Sequence, residues 1–234
     1  MDKQIKRICT ICARGGSKGV KGKALRLISG RSLIAHTVGH AVQSGIFDSI
    51  VVSSDSPEII KAGIGAGATD AVNRPSELAT DSADKLPAIV HCVTEIESRH
   101  DELFDTVVDL DVTAPLRTVD DVLSAVKQHE NSVSPNLFSV CPAHRSPYFN
   151  MVERRSSGEV CLVKAPEGVI TCRQDAPECY DMNASIYVWR RETLLKTNEL
   201  FLEGTQVYVM PQERSIDIDS ELDLSIAEFL YERR

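Results

Sequence analysis

ICARGGSKGVKGKAL, residues 11 to 25, is the stretch from which the fold of this 234-residue chain follows. It holds four glycines, one arginine and three lysines, and it overlaps the end of an apolar, β-branched run, residues 5–13, that predicts a buried strand. Glycines allow a backbone to approach phosphate oxygens closely, and cations neutralise phosphate charge. The stretch therefore predicts a phosphate-binding loop directly after a first strand.

The charge of the chain is distributed unevenly. Residues 1–31 hold nine lysines and arginines against one acid, Asp2, so a chain of net charge -8 has a remainder of -16. An acidic body argues against a nucleic-acid or membrane surface, whereas a local basic patch suits a small polyanion. A solvated basic edge remains the alternative from charge alone.

Composition indicates one core and a reducing compartment. A hydrophobic share of 42% supports a sizeable core, and the apolar runs are too short for a transmembrane span. No small-residue cleavage site follows the first apolar run, which argues against a signal peptide. Seven cysteines without a regular framework predict free thiols in a cytoplasmic protein.

Strand and helix patterns alternate as far as residue 141, which predicts a single α/β domain over residues 1–234 with a doubly wound, mainly parallel sheet. Residues 142–181 then break the rhythm with four prolines and four arginines, which predicts a long loop or a small inserted lobe. The predicted strands are 5–13, 48–54, 105–111, 136–141, 183–190 and one around QVYVM; the predicted helices are 33–44, 57–68, 82–99, one opened by a capping box of Thr118 and Asp121, and a last one from about Ser220.

Open α/β sheets bind ligands at the carboxyl ends of their strands, where the basic loop is expected to lie. The loop is not a Walker P-loop, because Ser17 holds the first glycine position and Ala24 follows the lysine. The candidate phosphate-binding residues are Arg14, Gly15, Gly16, Ser17, Lys18 and Lys23. The second glycine-rich run, GIGAGA at 63–68, fits a dinucleotide fingerprint but is expected to be a helix end.

Paired carboxylates lie near the carboxyl end of the chain, in Ser215-Ile-Asp-Ile-Asp219. In an extended segment Asp217 and Asp219 share one face, with Cα atoms about 6.5 Å apart. Two carboxylates together with phosphate oxygens can hold Mg²⁺. Capping of the last helix by Asp219 or Ser220 is the alternative, and it does not exclude metal binding by the other residue.

The segment LDVTAPLR, 110–117, follows a predicted strand, which places Asp111 and Thr113 towards the ligand crevice; a plain strand end is the alternative. Cys9 and Cys12 resemble a CxxC pair, but three residues apart on a strand they point to opposite faces, which favours core thiols.

Taken in order, nine segments resemble the acylneuraminate cytidylyltransferases, also called CMP-sialic acid synthetases. The segments are ARGGSKG at 13–19, the region of Lys23, LIAHT at 33–37, VVSSDSPEI at 51–59, RPSELATD at 74–81, TAPLR at 113–117, RQDAP at 173–177, NASIYVW at 183–189 and SIDIDSELDL at 215–224. The resemblance implies a Rossmann-like nucleotide-diphospho-sugar transferase fold. It also implies transfer of CMP from CTP to the anomeric hydroxyl of a nine-carbon nonulosonic acid, with release of pyrophosphate.

The resemblance also implies roles for single residues. Those implied in catalysis are Arg14, Lys23, Asp217 and Asp219, the two aspartates as ligands of Mg²⁺; those implied at the triphosphate are Arg14, Ser17, Lys18 and Lys23, with Arg74 near the cytosine nucleotide. Those implied on the sugar side are Asp111, Thr113, Arg173, Asn183 and Tyr187. The irregular segment of about 142–180 is implied to build a homodimer interface.

Two positions depart from the family pattern. Many sialic-acid enzymes have glutamine where this chain has Asp111, and the Asp-Val-Thr form resembles the branch that acts on legionaminic-type sugars. Ala24 stands where asparagine is frequent. A cytidylyltransferase for another acidic sugar, such as the eight-carbon Kdo, and a non-catalytic nucleotide-binding regulator are the alternatives.

Overall fold

The computed structural model describes residues 4–16, 19–165, 168 and 172–233, and within this part of the chain there are eleven strands and six helices. The strands are β1 (Arg7–Cys12), β2 (Leu27–Ile28), β3 (Arg31–Ser32), β4 (Ser49–Ser54), β5 (Asp70–Asn73), β6 (Thr106–Leu110), β7 (Asn136–Pro142), β8 (Val152–Arg154), β9 (Val160–Leu162), β10 (Tyr180–Arg190) and β11 (Gln206–Val209). The helices are α1 (Leu33–Ser44), α2 (Pro57–Gly65), α3 (Lys85–His100), α4 (Val119–Glu130), α5 (Arg191–Leu194) and α6 (Glu221–Tyr231). Every predicted strand and helix is present, most within three residues of its expected bounds.

Seven strands form one sheet in the order β11-β7-β10-β6-β1-β4-β5. Strand β10 runs antiparallel to both of its neighbours, and the other paired strands are parallel. The predicted mainly parallel α/β sheet is therefore confirmed. The carboxyl ends of β1, β4, β5 and β6 meet at one edge, and this edge carries the candidate site.

Helices cover both faces of the sheet, as a doubly wound fold requires. On one face, the core joins Cys9 and Ile11 of β1 to apolar residues of α1, α4 and α6. On the other face, Ile8 and Cys12 pack with residues of α3 and with Trp189 of β10. Cys9 and Cys12 therefore lie on opposite faces, as predicted; Cys9 is a buried core thiol, whereas Cys12 is half-buried.

Local sequence signals set the ends of the helices. Thr118 and Asp121 form the predicted capping box of α4, and Ser220 forms a second one with Asp223 at the start of α6. Helix α1 ends at Gly45, whose φ of +64° favours glycine. The GIGAGA run at 63–68 lies at the end of α2, which confirms that it is a helix end.

The irregular segment predicted at 142–181 contains a short hairpin, β8–β9, outside the main sheet. Val152 and Val160 on this hairpin each expose 61% of their surface. Two more apolar residues, Met151 and Val163, flank the hairpin and are also exposed. No helix in the described residues is long and apolar enough to cross a membrane.

Candidate functional site

A cleft of about 390 Å³ opens at the carboxyl edge of the sheet. It is lined by Cys12, Ala13, Arg14, Gly19, Lys23, Ala24, Arg74, Leu78, Thr80, Asp81, Ala83, Asp84, Lys85, Ala88, Asp111, Val112, Thr113 and Asp219. This set combines the basic loop, the Asp-Val-Thr segment and one of the paired aspartates. The cleft therefore brings together residues that are up to 207 positions apart in sequence, from Cys12 to Asp219.

The parallel strands deliver one polar residue each to this edge. Arg14 follows β1, Asp55 follows β4, Arg74 follows β5 and Asp111 follows β6. Because parallel neighbours end at the same height, side chains that follow them converge. Of these residues, Arg14, Arg74 and Asp111 line the cleft, and Asp55 accepts from the backbone amide of Gly15 beside it.

Two residues of the basic loop are fixed by neighbouring loops. The backbone amide of Gly15 donates to Asp55 Oδ1 at 2.7 Å. Arg14 donates from Nη1 to the carbonyl of Thr80 at 2.7 Å and forms an ion pair with Asp81 at 2.9 Å. The Arg14 guanidinium is therefore held at the rim of the cleft, with carboxylate and carbonyl partners that an anionic ligand would have to replace.

The loop also packs against the carboxyl-terminal acids. Lys23 Nζ lies 2.8 Å from Asp219 Oδ1; the lysine side chain is 13% exposed and the aspartate 77%. A Cβ atom placed on Gly19 would lie 2.0 Å from the carbonyl oxygen of Asp219. Only glycine allows such an approach between two backbones. Arg14 and Lys23 from the amino end and Asp219 from the carboxyl end therefore line one cleft, whereas Asp217 is not among the residues that line it.

Asp217 is the half-buried member of the acidic pair. Its Oδ1 is buried without a hydrogen-bond partner, while Ile216 and Ile218 pack into the core on the other side of the segment. Burial raises the pKa of Asp217; a hydrogen bond with Thr113 acts to lower it, and the charges of Asp111 and Asp219 raise it further. An unpartnered buried carboxylate oxygen beside a second carboxylate fits a bound cation.

The donor set at this position suits Mg²⁺ rather than a fully protein-coordinated metal. Within the described ranges, no group of three or more His, Cys, Asp or Glu residues is arranged to hold a metal. Mg²⁺ is commonly bound through one or two carboxylates, with phosphate oxygens and water completing its octahedron. Asp217 and Asp219 therefore fit the role of magnesium ligands only together with a phosphate-bearing ligand.

A lysine that the sequence analysis did not single out lines the cleft beside Asp111. Lys85 Nζ lies 2.7 Å from Asp109 Oδ2 and 2.6 Å from Asp111 Oδ2, and it stands 4.5 Å from the centre of the Tyr187 ring. Asp111 Oδ1 accepts from both the amide and the hydroxyl of Thr113. Burial acts to raise the pKa of Asp111, but Lys85 and Thr113 hold it below its usual range.

A buried arginine fixes the backbone at this corner. Arg117 is fully buried and donates to the carbonyls of Asp111 and Ser185 and, at 3.1 Å, to Thr37 Oγ1. Burial lowers the pKa of Arg117 to about 10. The Arg117 side chain therefore connects the end of β6 to β10 and α1, which sets the position of Asp111.

The remaining predicted residues lie at different depths. Arg74 lines the cleft and donates from Nη2 to the carbonyl of Ser53 at 2.9 Å. Asn183 is buried; its Oδ1 accepts from Ser139 and its Nδ2 donates to Ser215, so it supports the start of the aspartate segment rather than lining the cleft. Ser17 and Lys18 lie outside the described residues, as does the side chain of Arg173.

An ion pair beneath the site supports the aspartate segment from α4. Asp121, whose side chain is 1% exposed, accepts two hydrogen bonds from Arg214 at 2.9 Å each and closes the capping box with Thr118. Burial acts to raise the pKa of Asp121, but the bonds from Arg214 and Thr118 hold it below its ordinary value of 3.8. Arg214 directly precedes the Ser215–Asp219 segment, so the pair anchors it.

Asp121→Ala is expected to lower the free energy of unfolding by about 3 kcal/mol at pH 7, because it leaves a guanidinium unpaired and removes a helix cap. The pKa of Asp121 is lower in the folded state than in the unfolded state. The stabilisation that Asp121 contributes is therefore complete above its unfolded-state pKa, and it is lost as the pH falls through its folded-state pKa. Urea unfolding from pH 7 to pH 3 measures this. The exposed neighbour Asp120→Ala is the control; an equal loss in both variants contradicts the anchoring role.

Sequence reasoning missed Asp55, Lys85, Asp109 and Arg117. Asp109 and Arg117 are fully buried charges, and their partners come from other strands and from helices α1 and α3. One signal was present: Asp109 lies within a predicted buried strand, where an aspartate requires a cationic partner. The identity of that partner, Lys85, depends on the crossover from α3 to β6 and could not be read from spacing.

The comparisons with known proteins agree with this geometry. A solved structure of a CMP:2-keto-3-deoxy-manno-octonic acid synthetase complexed with CTP shares the fold, with a TM-score of 0.70 over 97% of this chain and 99% of that one, at 18% identity. A CMP-N,N'-diacetyllegionaminic acid synthase of Campylobacter jejuni is 43% identical over 223 residues, 95% of this chain and 94% of that protein. The post-translational flagellin modification protein B of Campylobacter coli is 41% identical over 227 residues, 97% and 95% of the two chains.

Fold and site together define a nucleotidyltransferase of the α/β type. A family model described as cytidylyltransferase matches residues 8–233, nearly the whole chain. The chain belongs to this cytidylyltransferase family.

Proposed function

We propose that this protein transfers CMP from CTP to the anomeric hydroxyl of a nonulosonic acid of the legionaminate type and releases pyrophosphate. The observation that carries the proposal is the convergence of Lys23 with Asp219, 2.8 Å apart, in a cleft that also contains Arg14 and Asp111. A triphosphate needs cations and metal-binding carboxylates side by side, and this cleft provides both. The 43% identity to a legionaminate enzyme supports the choice of sugar.

In-line attack of the sugar hydroxyl on the α-phosphorus asks the protein for positioning and charge neutralisation. Lys23 and Arg14 neutralise the triphosphate, and Arg74, which also lines the cleft, orients the nucleotide. Gly15 and Gly16 give the phosphates room to approach the backbone. As pyrophosphate leaves, negative charge develops on it next to the basic loop. Lys23 and Arg14 therefore also stabilise the transition state.

Asp217 and Asp219 would hold Mg²⁺, which supplies charge neutralisation at the phosphates and polarises the attacking hydroxyl. The support for this assignment is the unpartnered buried Oδ1 of Asp217 beside a second, exposed carboxylate. Two neighbouring residues support the pair of aspartates. Lys23 limits the repulsion between the two carboxylates. The carbonyl oxygen of Thr113 accepts a hydrogen bond from the Ile218 amide at 2.9 Å and so fixes the backbone between Asp217 and Asp219.

A homodimer is proposed as the assembly. Its support is the exposed apolar surface of the β8–β9 hairpin, where Val152 and Val160 lie in a segment outside the main sheet. Contiguous exposed apolar surface marks interaction sites. Sedimentation equilibrium should give twice the chain mass of 25.7 kDa; a monomer at micromolar concentration contradicts the assembly.

The direct test of the reaction mixes CTP, Mg²⁺ and one of legionaminic, pseudaminic, neuraminic or Kdo acids and follows pyrophosphate release. The expected result is release with legionaminic acid at the highest kcat/KM and much slower release with Kdo. Preference for Kdo would support an eight-carbon enzyme, since the CMP-Kdo synthetase shares the fold. Binding of CTP without turnover of any sugar would contradict the proposed reaction and support the alternative, a non-catalytic nucleotide-binding regulator.

A further inference from the structure

Lys85 is the only lysine among the described residues that contacts two carboxylates of one strand end at 2.6 and 2.7 Å. It is the first residue of α3, and its side chain reaches across the cleft wall to the end of β6. The side chain is 31% exposed, whereas Asp109 beneath it is fully buried. The ammonium group therefore stands between a carboxylate in the core and Asp111 at the cleft surface.

The hydrogen-bonding capacity of Asp111 is almost used up within the protein. Asp109 Oδ1 accepts from Thr10 at 2.8 Å, and Oδ2, which has no hydrogen-bond partner, forms an ion pair with Lys85 at 2.7 Å. Asp111 Oδ1 accepts twice from Thr113, and Oδ2 accepts once from Lys85. A carboxylate oxygen has about two lone-pair sites and an ammonium has three donors. One acceptor site on Asp111 and at least one donor on Lys85 are left over.

The leftover donor and acceptor lie side by side on the wall of the cleft. Both Lys85 and Asp111 line it, and the Tyr187 ring 4.5 Å from the ammonium restricts its movement. A sugar hydroxyl can donate to a carboxylate oxygen and accept from an ammonium at the same time. The pair therefore has the chemistry to recognise a polar group on a sugar.

The charge on Asp111 makes Lys85 necessary for an acidic substrate. Without a counter-ion, Asp109 and Asp111 would present two negative charges to a ligand that itself carries a carboxylate. With Lys85 in place, the charge of Asp111 is offset and only its free acceptor site faces the cleft. The two residues act as one polar unit rather than as an exposed anion.

We propose that Lys85 is a specificity-determining residue on the sugar side of the cleft, which neutralises Asp111 and, with it, presents one donor and one acceptor to a polar group of the acidic sugar. This inference rests on the proposed function, because it assigns a role within the sugar site of that enzyme. It predicts that loss of Lys85 weakens recognition of the sugar and leaves recognition of CTP largely intact.

Steady-state kinetics of the full-length protein with CTP, Mg²⁺ and legionaminic acid test the assignment. Lys85→Met is expected to raise the KM for the sugar at least tenfold, with the KM for CTP changed less than threefold. Lys61→Met, at an exposed position of α2, is the matched control and should keep wild-type constants. A wild-type KM for the sugar in Lys85→Met overturns the inference.

A double variant separates recognition from folding, because Lys85→Met leaves Asp109 buried without its cation. Lys85→Met/Asp109→Asn removes that buried charge and should recover thermal stability, while the KM for the sugar stays raised, since Asp111 still lacks its counter-ion. Recovery of the wild-type KM would mean that Lys85 serves only the fold.

The wild-type reaction is measured first: no turnover with any acidic sugar refutes the proposed function, and turnover with an unchanged Lys85→Met profile refutes this inference alone.

Discussion

Asp217→Asn is expected to lower kcat by about 10²–10³-fold, the range observed when one preorganised electrostatic group is lost from an active site. The substitution keeps the shape of the side chain and removes the charge that would bind Mg²⁺. The KM for the sugar should change less than kcat, because the role proposed for Asp217 is metal binding rather than a direct contact with the sugar. Titration of activity with Mg²⁺ measures the effect, since the apparent Mg²⁺ requirement should rise.

The stability of this variant provides a second readout. Burial, together with the charges of Asp111 and Asp219, raises the pKa of Asp217, so its ionised form destabilises the folded state above that pKa. Asp217→Asn should therefore leave the Tm unchanged or higher while activity falls. Glu213→Gln is the control: it makes the same carboxylate-to-amide change at a nearby exposed position, and it should alter neither the Tm nor the activity. Normal turnover of Asp217→Asn at limiting Mg²⁺ contradicts the assigned role.

Gly19→Ala is expected to lower kcat/KM by about 10²-fold, because displacement of catalytic groups by about 1 Å costs that much. A Cβ atom at this position would overlap the carbonyl oxygen of Asp219, and backbone cannot rotate away as a side chain can. The basic loop and the aspartate segment must separate, which stretches the ion pair between Lys23 and Asp219. Both the KM for CTP and kcat should worsen.

The matched control for this prediction is Gly65→Ala at the end of α2, where an added Cβ meets nothing within 4 Å. It makes the same chemical change without a clash, and it should retain wild-type kcat/KM. Differential scanning calorimetry of both variants separates displacement of the loop from unfolding. Wild-type kinetics in Gly19→Ala would show that the close approach of the two segments does not matter for turnover.

The fold could be predicted because its signals are local. Helix α1 begins after Ser32 and ends at Gly45 as expected, and the capping box of Thr118 and Asp121 marks the start of α4. Strand β10 was expected as a strand, but its antiparallel direction was not, because direction depends on the path of residues 142–180. Periodicity identifies buried faces, whereas strand order follows from packing between distant elements.

The site was predictable only in part, and the missing part has a physical explanation. Lys23 and Asp219 carry recognisable chemistry at either end of the chain, and the structure brings them to 2.8 Å. Lys85 and Arg117 owe their roles to partners that are set by the crossovers of the sheet. Asn183, assigned to the sugar by resemblance, lies buried behind the aspartate segment, and alternation along a strand could not reveal that depth.

A crystal structure with CTP and Mn²⁺ in place of Mg²⁺ tests the central claim most directly, because the anomalous signal of manganese locates the metal independently of the nucleotide. The account predicts one manganese peak between the carboxylates of Asp217 and Asp219, in contact with phosphate oxygens that Lys23 and Arg14 also contact. A nucleotide bound in another cavity, or a manganese ion remote from both aspartates, would contradict the claim that the two ends of the chain form one catalytic site.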